Sequence, residues 1–239
     1  MKLQDLTWIE LRSLPRETVV VVPLASCEQH SAHLPFGTDM LVVDAIADAL
    51  EAHLDSDVLR LPTLPFAYSA RHLPMKGTLS VPLETYVEMV AATVTSVAQA
   101  GFRRILLLNA QSDNAPTLGV TLRLLRERHP GAVVVAVSYW SLLESDDEAG
   151  HADELETSLM LHLHPERVRS AEIARDEMAS PSLYSRVVMQ YTRMDQRSHH
   201  GGVGNPERAS AERGRDDFER IVRSLVALTE DLRDGILAG

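Results

Sequence analysis

Thr18-Val19-Val20-Val21-Val22-Pro23-Leu24 decides the fold class. Its apolar residues run on without alternation, as in a strand covered on both faces, and Pro23 sits near the end, where ladder pairing can lapse. Further along, Met40 to Leu54 has the apolar period of an amphipathic helix, with Asp39 at its N-terminus. Asp57 to Leu64 reads as a shorter strand, and Glu84 to Ala100 as a helix closed by Gly101. Arg104 to Leu108 (RILLL) is a third strand, Pro116 to His129 a third helix, and Ala132 to Ser138 (AVVVAVS) a fourth strand. This alternation predicts an α/β fold in which a mostly parallel sheet is flanked by helices. A helix is then expected over Asp153 to His164, ending before Pro165, and a polar loop or lid over Ser180 to Gly204. Pro206 to Leu237 reads as a long terminal helix with Asn205 as its cap.

Composition narrows the function. The 239 residues, 45% hydrophobic and 24% charged, suit one domain over 1–239. A net charge of −11 without a basic block argues against nucleic acid as a partner. No apolar run is long enough for a membrane span, and MKLQDLTWIELRSLP lacks the pattern of a signal peptide. Cys27 is the only cysteine, so no internal disulfide forms and a reducing, cytoplasmic setting is expected. Its neighbour Glu28 disfavours a thiolate, so Cys27 reads as a packing residue.

Polar clusters sit where strands give way to helices, the edge at which open α/β sheets bind ligands. After the first strand come Glu28, His30 and Asp39, donors suited to zinc, manganese or iron. Asp39 alone is as well explained as a helix cap, but the three together favour metal ligation. After RILLL comes Asn109-Ala110-Gln111-Ser112-Asp113-Asn114, in which Asp113 is a candidate ligand and the bland alternative is a capping turn. The third cluster is Gly150-His151-Ala152-Asp153-Glu154-Leu155-Glu156. An acidic first helical turn accounts for Asp153 and Glu154 but not for Glu156, whose apolar neighbours pull it inward. Glu156 is therefore a candidate ligand or acid/base, and His151 a proton shuttle. His33, His72, Gln111 and Trp140 are candidate substrate contacts, although an aromatic pair such as Tyr139-Trp140 is more often core. His162 and His164 read as structural, and His199-His200 carries no assigned role.

In this order the clusters resemble the creatininase family of metal-dependent amidohydrolases. The motif Glu-Gln-His-Gly-x-His-Leu-Pro followed by Asp is matched from Glu28 to Asp39, and Gly-Thr-(Leu/Ile)-Ser by Gly77 to Ser80. Gly-His-x-x-x-x-Glu-Thr-Ser is matched by Gly150 to Ser158, and a closing Gly-x-x-Gly-x-Pro segment resembles the stretch around Gly202 to Pro206. The resemblance implies a three-layer α/β fold, homo-oligomers (a hexamer among the options) and a binuclear divalent-metal site. On that pattern Glu28, His30 and Asp39 are ligands, with Asp39 bridging. Glu156 is ligand or acid/base, and His151 transfers a proton.

Three departures stand out. Gln111 occupies the position of a metal-ligating histidine, and Asp113 that of a glutamate or glycine. Ser31 also replaces the glycine after the motif histidine. The expectation is a hydrolase holding one or two ions of zinc, manganese or iron per subunit. It would cleave the C–N bond of a cyclic amide, formamide or short peptide by activated water. A ligand-binding or regulatory descendant is the second reading, resting on Gln111, and a structural subunit the third.

Overall fold

The computed structural model describes residues 1–143, 150–174 and 191–237. In chain order its main elements are α1 (Trp8–Ser13), β1 (Val19–Leu24), α2 (Thr38–Leu54), β2 (Val58–Arg60), α3 (Leu83–Gln99), β3 (Arg104–Asn109), α4 (Asn114–Arg128), β4 (Val133–Ser138), α5 (Glu154–Leu163) and α6 (Ala211–Arg233). The strands form one parallel sheet in the order β2-β1-β3-β4. The valines of β1 alternate between two apolar layers. Val19 and Val21 join Val42, Ile46, Leu50, Leu159, Ile221 and Leu225, contributed by α2, α5 and α6. Val20 and Val22 join Val90, Val94, Leu118 and Leu125, contributed by α3 and α4. A strand buried on both faces must be apolar throughout, which is why TVVVVPL shows no alternation.

The sequence expectations match most elements to within two residues, and three differences have local causes. Asp57–Leu64 shrinks to a three-residue strand because Pro62 has no N–H for the ladder, and only an isolated bridge joins Leu24 to Leu64. Asp39 lies inside the first turn of α2, which begins at Thr38 after Gly37, so it is not the helix cap. The terminal helix starts at Ala211, capped by Ser210, whose hydroxyl accepts from the Arg213 N–H; Asn205 instead precedes a short 3-10 turn over Pro206–Arg208 and makes no side-chain cap. Helix α1 was not anticipated. Thr7 and Glu10 form a reciprocal capping box at its start, a legible signal in Thr7-Trp8-Ile9-Glu10. The expected lid over 180–204 falls in part outside the described residues, and 191–204 carries a 3-10 turn at Met194–Gln196 and an isolated bridge from Val203 to His151.

Chain order makes a crevice. The connection β1-α2-β2 leaves β1 on one side, while β3 pairs along its other side, so the loops after β1 and β3 part at the carboxyl edge of the sheet. Helix α5 is pressed toward that edge by α6, and the backbones meet closely. A Cβ on Gly214 of α6 would lie 1.9 Å from the Ser158 carbonyl oxygen of α5. Gly214→Ala should therefore destabilise the protein by about 2–3 kcal/mol. Gly119→Ala, in an exposed interior turn of α4 with open space around it, should stabilise by about 0.5–1 kcal/mol. Urea unfolding of both variants checks the pair, and equal midpoints would contradict this helix packing.

Candidate metal centre

The loop after β1 folds back on itself through Glu28 N–H to Phe36 O (3.2 Å) and Leu34 N–H to His30 O (3.3 Å). Ser31 takes the left-handed backbone region at φ 57° to make the turn. Glycine enters that region freely, whereas a serine pays about 1–2 kcal/mol, which explains why a glycine is expected after the motif histidine. The turn puts Glu28 and His30, 2% and 1% exposed, into one pocket, and the first turn of α2 adds Asp39.

His30 shows the chemistry of the pocket most directly. Its Nδ1 lies 3.0 Å from the Glu28 carbonyl oxygen, so that nitrogen carries the proton of the neutral ring. Nε2 then lies buried 3.0 Å from Asp39 Oδ1 and 3.8 Å from Glu156 Oε2, so a proton or a cation has to stand between it and the carboxylates. A lone pair opposed to two carboxylates is repulsive unless a cation or proton stands between them. Ligating histidines are held in this way, with the second nitrogen donating to a carbonyl. Asp39 Oδ2 is fixed by the Ser26 hydroxyl at 2.7 Å. Glu156 Oε2 accepts from the Ala152 N–H at 2.6 Å, at the head of a helix capped by Asp153.

A second network surrounds Glu28. The Gln111 amide donates to Glu28 Oε2 at 3.0 Å, and His72 Nε2 stands 3.3 Å from Oε1. Gln29, which sequence reasoning passed over, organises the histidines. Its amide donates to the Gly201 carbonyl and approaches His72 Nδ1, both at 2.9 Å, while its Oε1 accepts from Ser31 N–H. His151 Nε2 reaches the Gln29 carbonyl oxygen at 2.6 Å, leaving Nδ1 bare and 3.8 Å from Glu28 Oε1. The His151 backbone pairs with Val203, so the late glycine-rich segment closes one side of the site. Gly201 is obligatory there: φ is +87°, and a Cβ would meet Gln29 Oε1 at 2.0 Å.

The remaining candidates divide. Three overlapping sets of side chains have donor atoms close enough to share an ion: Glu28, His30 and Asp39; His30, His151 and Glu156; and Glu28, His72 and His151. Asp113 joins none of them among the described residues and lies 3.1 Å from Arg71 Nε instead. His33 is fully buried with Nε2 2.9 Å from the Thr157 hydroxyl, bracing the loop against α5. Trp140 lines a narrow opening with Ser112, Gly150 and Glu156, while Tyr139 behind it belongs to the core. His162 packs on Phe218 away from the cluster.

Electrostatics follow from burying three carboxylates together. Burial, reinforced by Asp39, lifts Glu28 to about 7. Burial likewise lifts Glu156 to about 8 against the opposing pull of His30. Burial alone would depress His30, but the Asp39 and Glu156 carboxylates outweigh it and raise the ring to about 10. Desolvation keeps His72 neutral, down to about 3, and pushes His151 well below its ordinary value. The Cys27 thiol is raised by burial, with Asp39 and Glu28 adding to the effect, so it is a poor nucleophile.

A three-layer α/β fold with this cluster at the carboxyl edge of its sheet has known relatives. The sequence profile of the creatininase family (creatinine amidohydrolase) matches residues 4–229, and the chain belongs to this family of hydrolases. It is 29% identical over 220 residues to the mycofactocin precursor peptide peptidase of Mycobacterium tuberculosis, covering 87% of this chain and 82% of that protein. A crystal structure of a creatinine amidohydrolase homologue from Bacteroides fragilis superposes with a TM-score of 0.84 at 26% identity, over 98% of this chain and 96% of that one. A manganese creatininase shares the fold at a TM-score of 0.82 and 22% identity, over 97% of this chain and 98% of that one.

Because His30 and Glu156 both hold protons tightly without a cation, an ion that binds between them must displace those protons. Acid therefore weakens binding. The apparent association constant for Mn²⁺ should rise by about tenfold or more from pH 6 to pH 7, with net proton release. Calorimetry in two buffers of different ionisation enthalpy measures both quantities, and a pH-independent affinity without proton release would contradict the assignment.

Proposed function

We propose that this chain is a divalent-metal-dependent amidohydrolase that cleaves the C–N bond of a cyclic amide, formamide or short peptide with activated water. The observation that carries the reading is the buried Nε2 of His30 set against Asp39 and Glu156, a place that takes either a proton or a cation. Nitrogen and oxygen donors in this mixture suit manganese, zinc or iron, and a solved creatininase of the same fold carries manganese. Glu28, His30 and Asp39 would hold the ion, with Glu156 facing His30 from the other side. When bound, such an ion lowers the pKa of water toward neutrality and polarises a carbonyl.

The protein's own groups supply the rest. His151 is anchored through Nε2 to the Gln29 carbonyl, so its Nδ1 is aimed into the pocket as a proton acceptor. Burial and the neighbouring His30 hold it neutral, which leaves Nδ1 unprotonated as the site where a proton from water could be received and passed to the departing nitrogen. Gln111 donates to Glu28, which leaves its buried Oε1 without a partner and able to accept a substrate N–H. Trp140 and Ser112 stand at the opening, where the acyl or ring portion of a substrate would pass. His72 and His33 lie deeper and act through their neighbours. A cytoplasmic, homo-oligomeric enzyme fits this reading, resting on the single cysteine and on the family.

The test is a screen of small cyclic amides, N-formyl compounds and short peptides with Mn²⁺- or Zn²⁺-loaded protein. On the substrate so found, His30→Ala and Asp39→Ala should each lower kcat/KM by about three orders of magnitude, roughly 4 kcal/mol, with circular dichroism unchanged. Hydrolysis that survives chelation and both substitutions would overturn the proposal.

A further inference from the structure

Arg71 and Asp113 form a charged pair that the hydrolytic chemistry above does not use. Asp113 lies in the loop after β3, next to Ser112 at the opening and two residues beyond Gln111, whose amide donates to Glu28. Arg71 belongs to the 3-10 turn Ala70–His72 and directly precedes His72, which stands 3.3 Å from Glu28. The pair therefore sits on the rim of the pocket. Burial raises the Asp113 carboxyl, and Arg71 and Arg197 both pull it down again, so two guanidinium groups bear on this one carboxylate.

The Arg71 guanidinium is held at one edge and on one face. Its buried Nε lies 3.1 Å from Asp113 Oδ2, and its Cζ lies over the Tyr191 ring, 5.4 Å from the centroid. Tyr68 supports that ring, with centroids 6.2 Å apart. Neither terminal nitrogen makes a hydrogen bond among the described residues, and the side chain remains 20% exposed. A guanidinium fixed in this way presents its two terminal nitrogens as a planar fork, the geometry that matches a carboxylate. An ion pair that only tied the two loops together would turn that fork onto Asp113. We infer that Arg71 is a specificity-determining residue that receives a carboxylate of the substrate. The amide cleaved then belongs to an acyclic, carboxylate-bearing molecule, an N-acyl amino acid or a short peptide with a free C-terminus, rather than to a neutral cyclic amide. The inference rests on the metal-hydrolase reading above and narrows its substrate class. It makes Asp113, which joins none of the candidate ligand sets, the positioning residue for the guanidinium.

Binding tests this apart from turnover. Calorimetry on the full-length protein, with and without Mn²⁺, compares N-formylglycylglycine with its C-terminal carboxamide, and chromatography follows hydrolysis of both. The free acid should bind about tenfold or more tightly than the carboxamide in both states. Arg71→Gln should bring the two affinities to within about twofold of each other. Arg71→Lys keeps the charge beside Asp113 but loses the fork, so it should fold as the wild type does and keep no more than about a third of the preference. No measurable binding of either compound, equal affinities in the wild type, or a preference undiminished in the Arg71 variants would overturn the carboxylate site, whether or not either compound is hydrolysed. A preference that behaves as expected, in a Mn²⁺-loaded protein that hydrolyses no amide, would instead defeat the hydrolase reading and leave Arg71 as a carboxylate receptor.

Discussion

Burying Glu28, Asp39 and Glu156 within one pocket is the constraint around which the rest of this molecule is arranged. Each carboxylate removed from water needs a hydrogen-bond donor, a proton or a cation nearby, and like charges at close range raise the cost further. The chain meets the demand unevenly. Glu28 accepts from the Gln111 amide and lies 3.3 Å from His72 Nε2, while Asp39 and Glu156 face His30 Nε2, whose ring is held at Nδ1 by a backbone carbonyl. The second arrangement is stable only with positive charge in the gap. A pocket whose buried carboxylates and imidazole must share protons or a cation is the physical content of this site.

The fold delivers that pocket through close backbone contacts. Parting of the loops after β1 and β3 opens the crevice, and the close α5–α6 contact at Gly214 holds Ser158 of α5 against α6. Gly201 brings the late loop against Gln29, which in turn aligns His72 and His151. Imidazole orientation in this cluster is thus determined by residues from four distant parts of the chain. Small changes in any of these approaches would disturb the proton positions on which the chemistry depends.

Much of the scaffold was legible because its signals are local. TVVVVPL had to be a doubly covered strand, and the helical periods of α2, α3 and α4 fixed their faces. The shortened β2 could have been read from Pro62, and α1 from the Thr7 and Glu10 box, but α1 buries none of its residues and so gave no apolar signal. At the site, the convergence of Glu28, His30, Asp39 and Glu156 was visible as ligand-type residues at strand ends. Gln29 was not, since a neutral amide between two ionisable residues carries no chemical signature until its partners are seen. The pairing of Asp113 with Arg71 was equally hidden, because nothing near either residue in sequence announces the other.

The most direct measurement of this account is a crystal structure of the manganese- or zinc-loaded protein with data collected across the metal absorption edge. An anomalous peak about 2.0–2.3 Å from His30 Nε2 and from an oxygen of Asp39 is expected in each chain. Density in which His30 Nε2 contacts no ion at full loading would contradict the metal assignment.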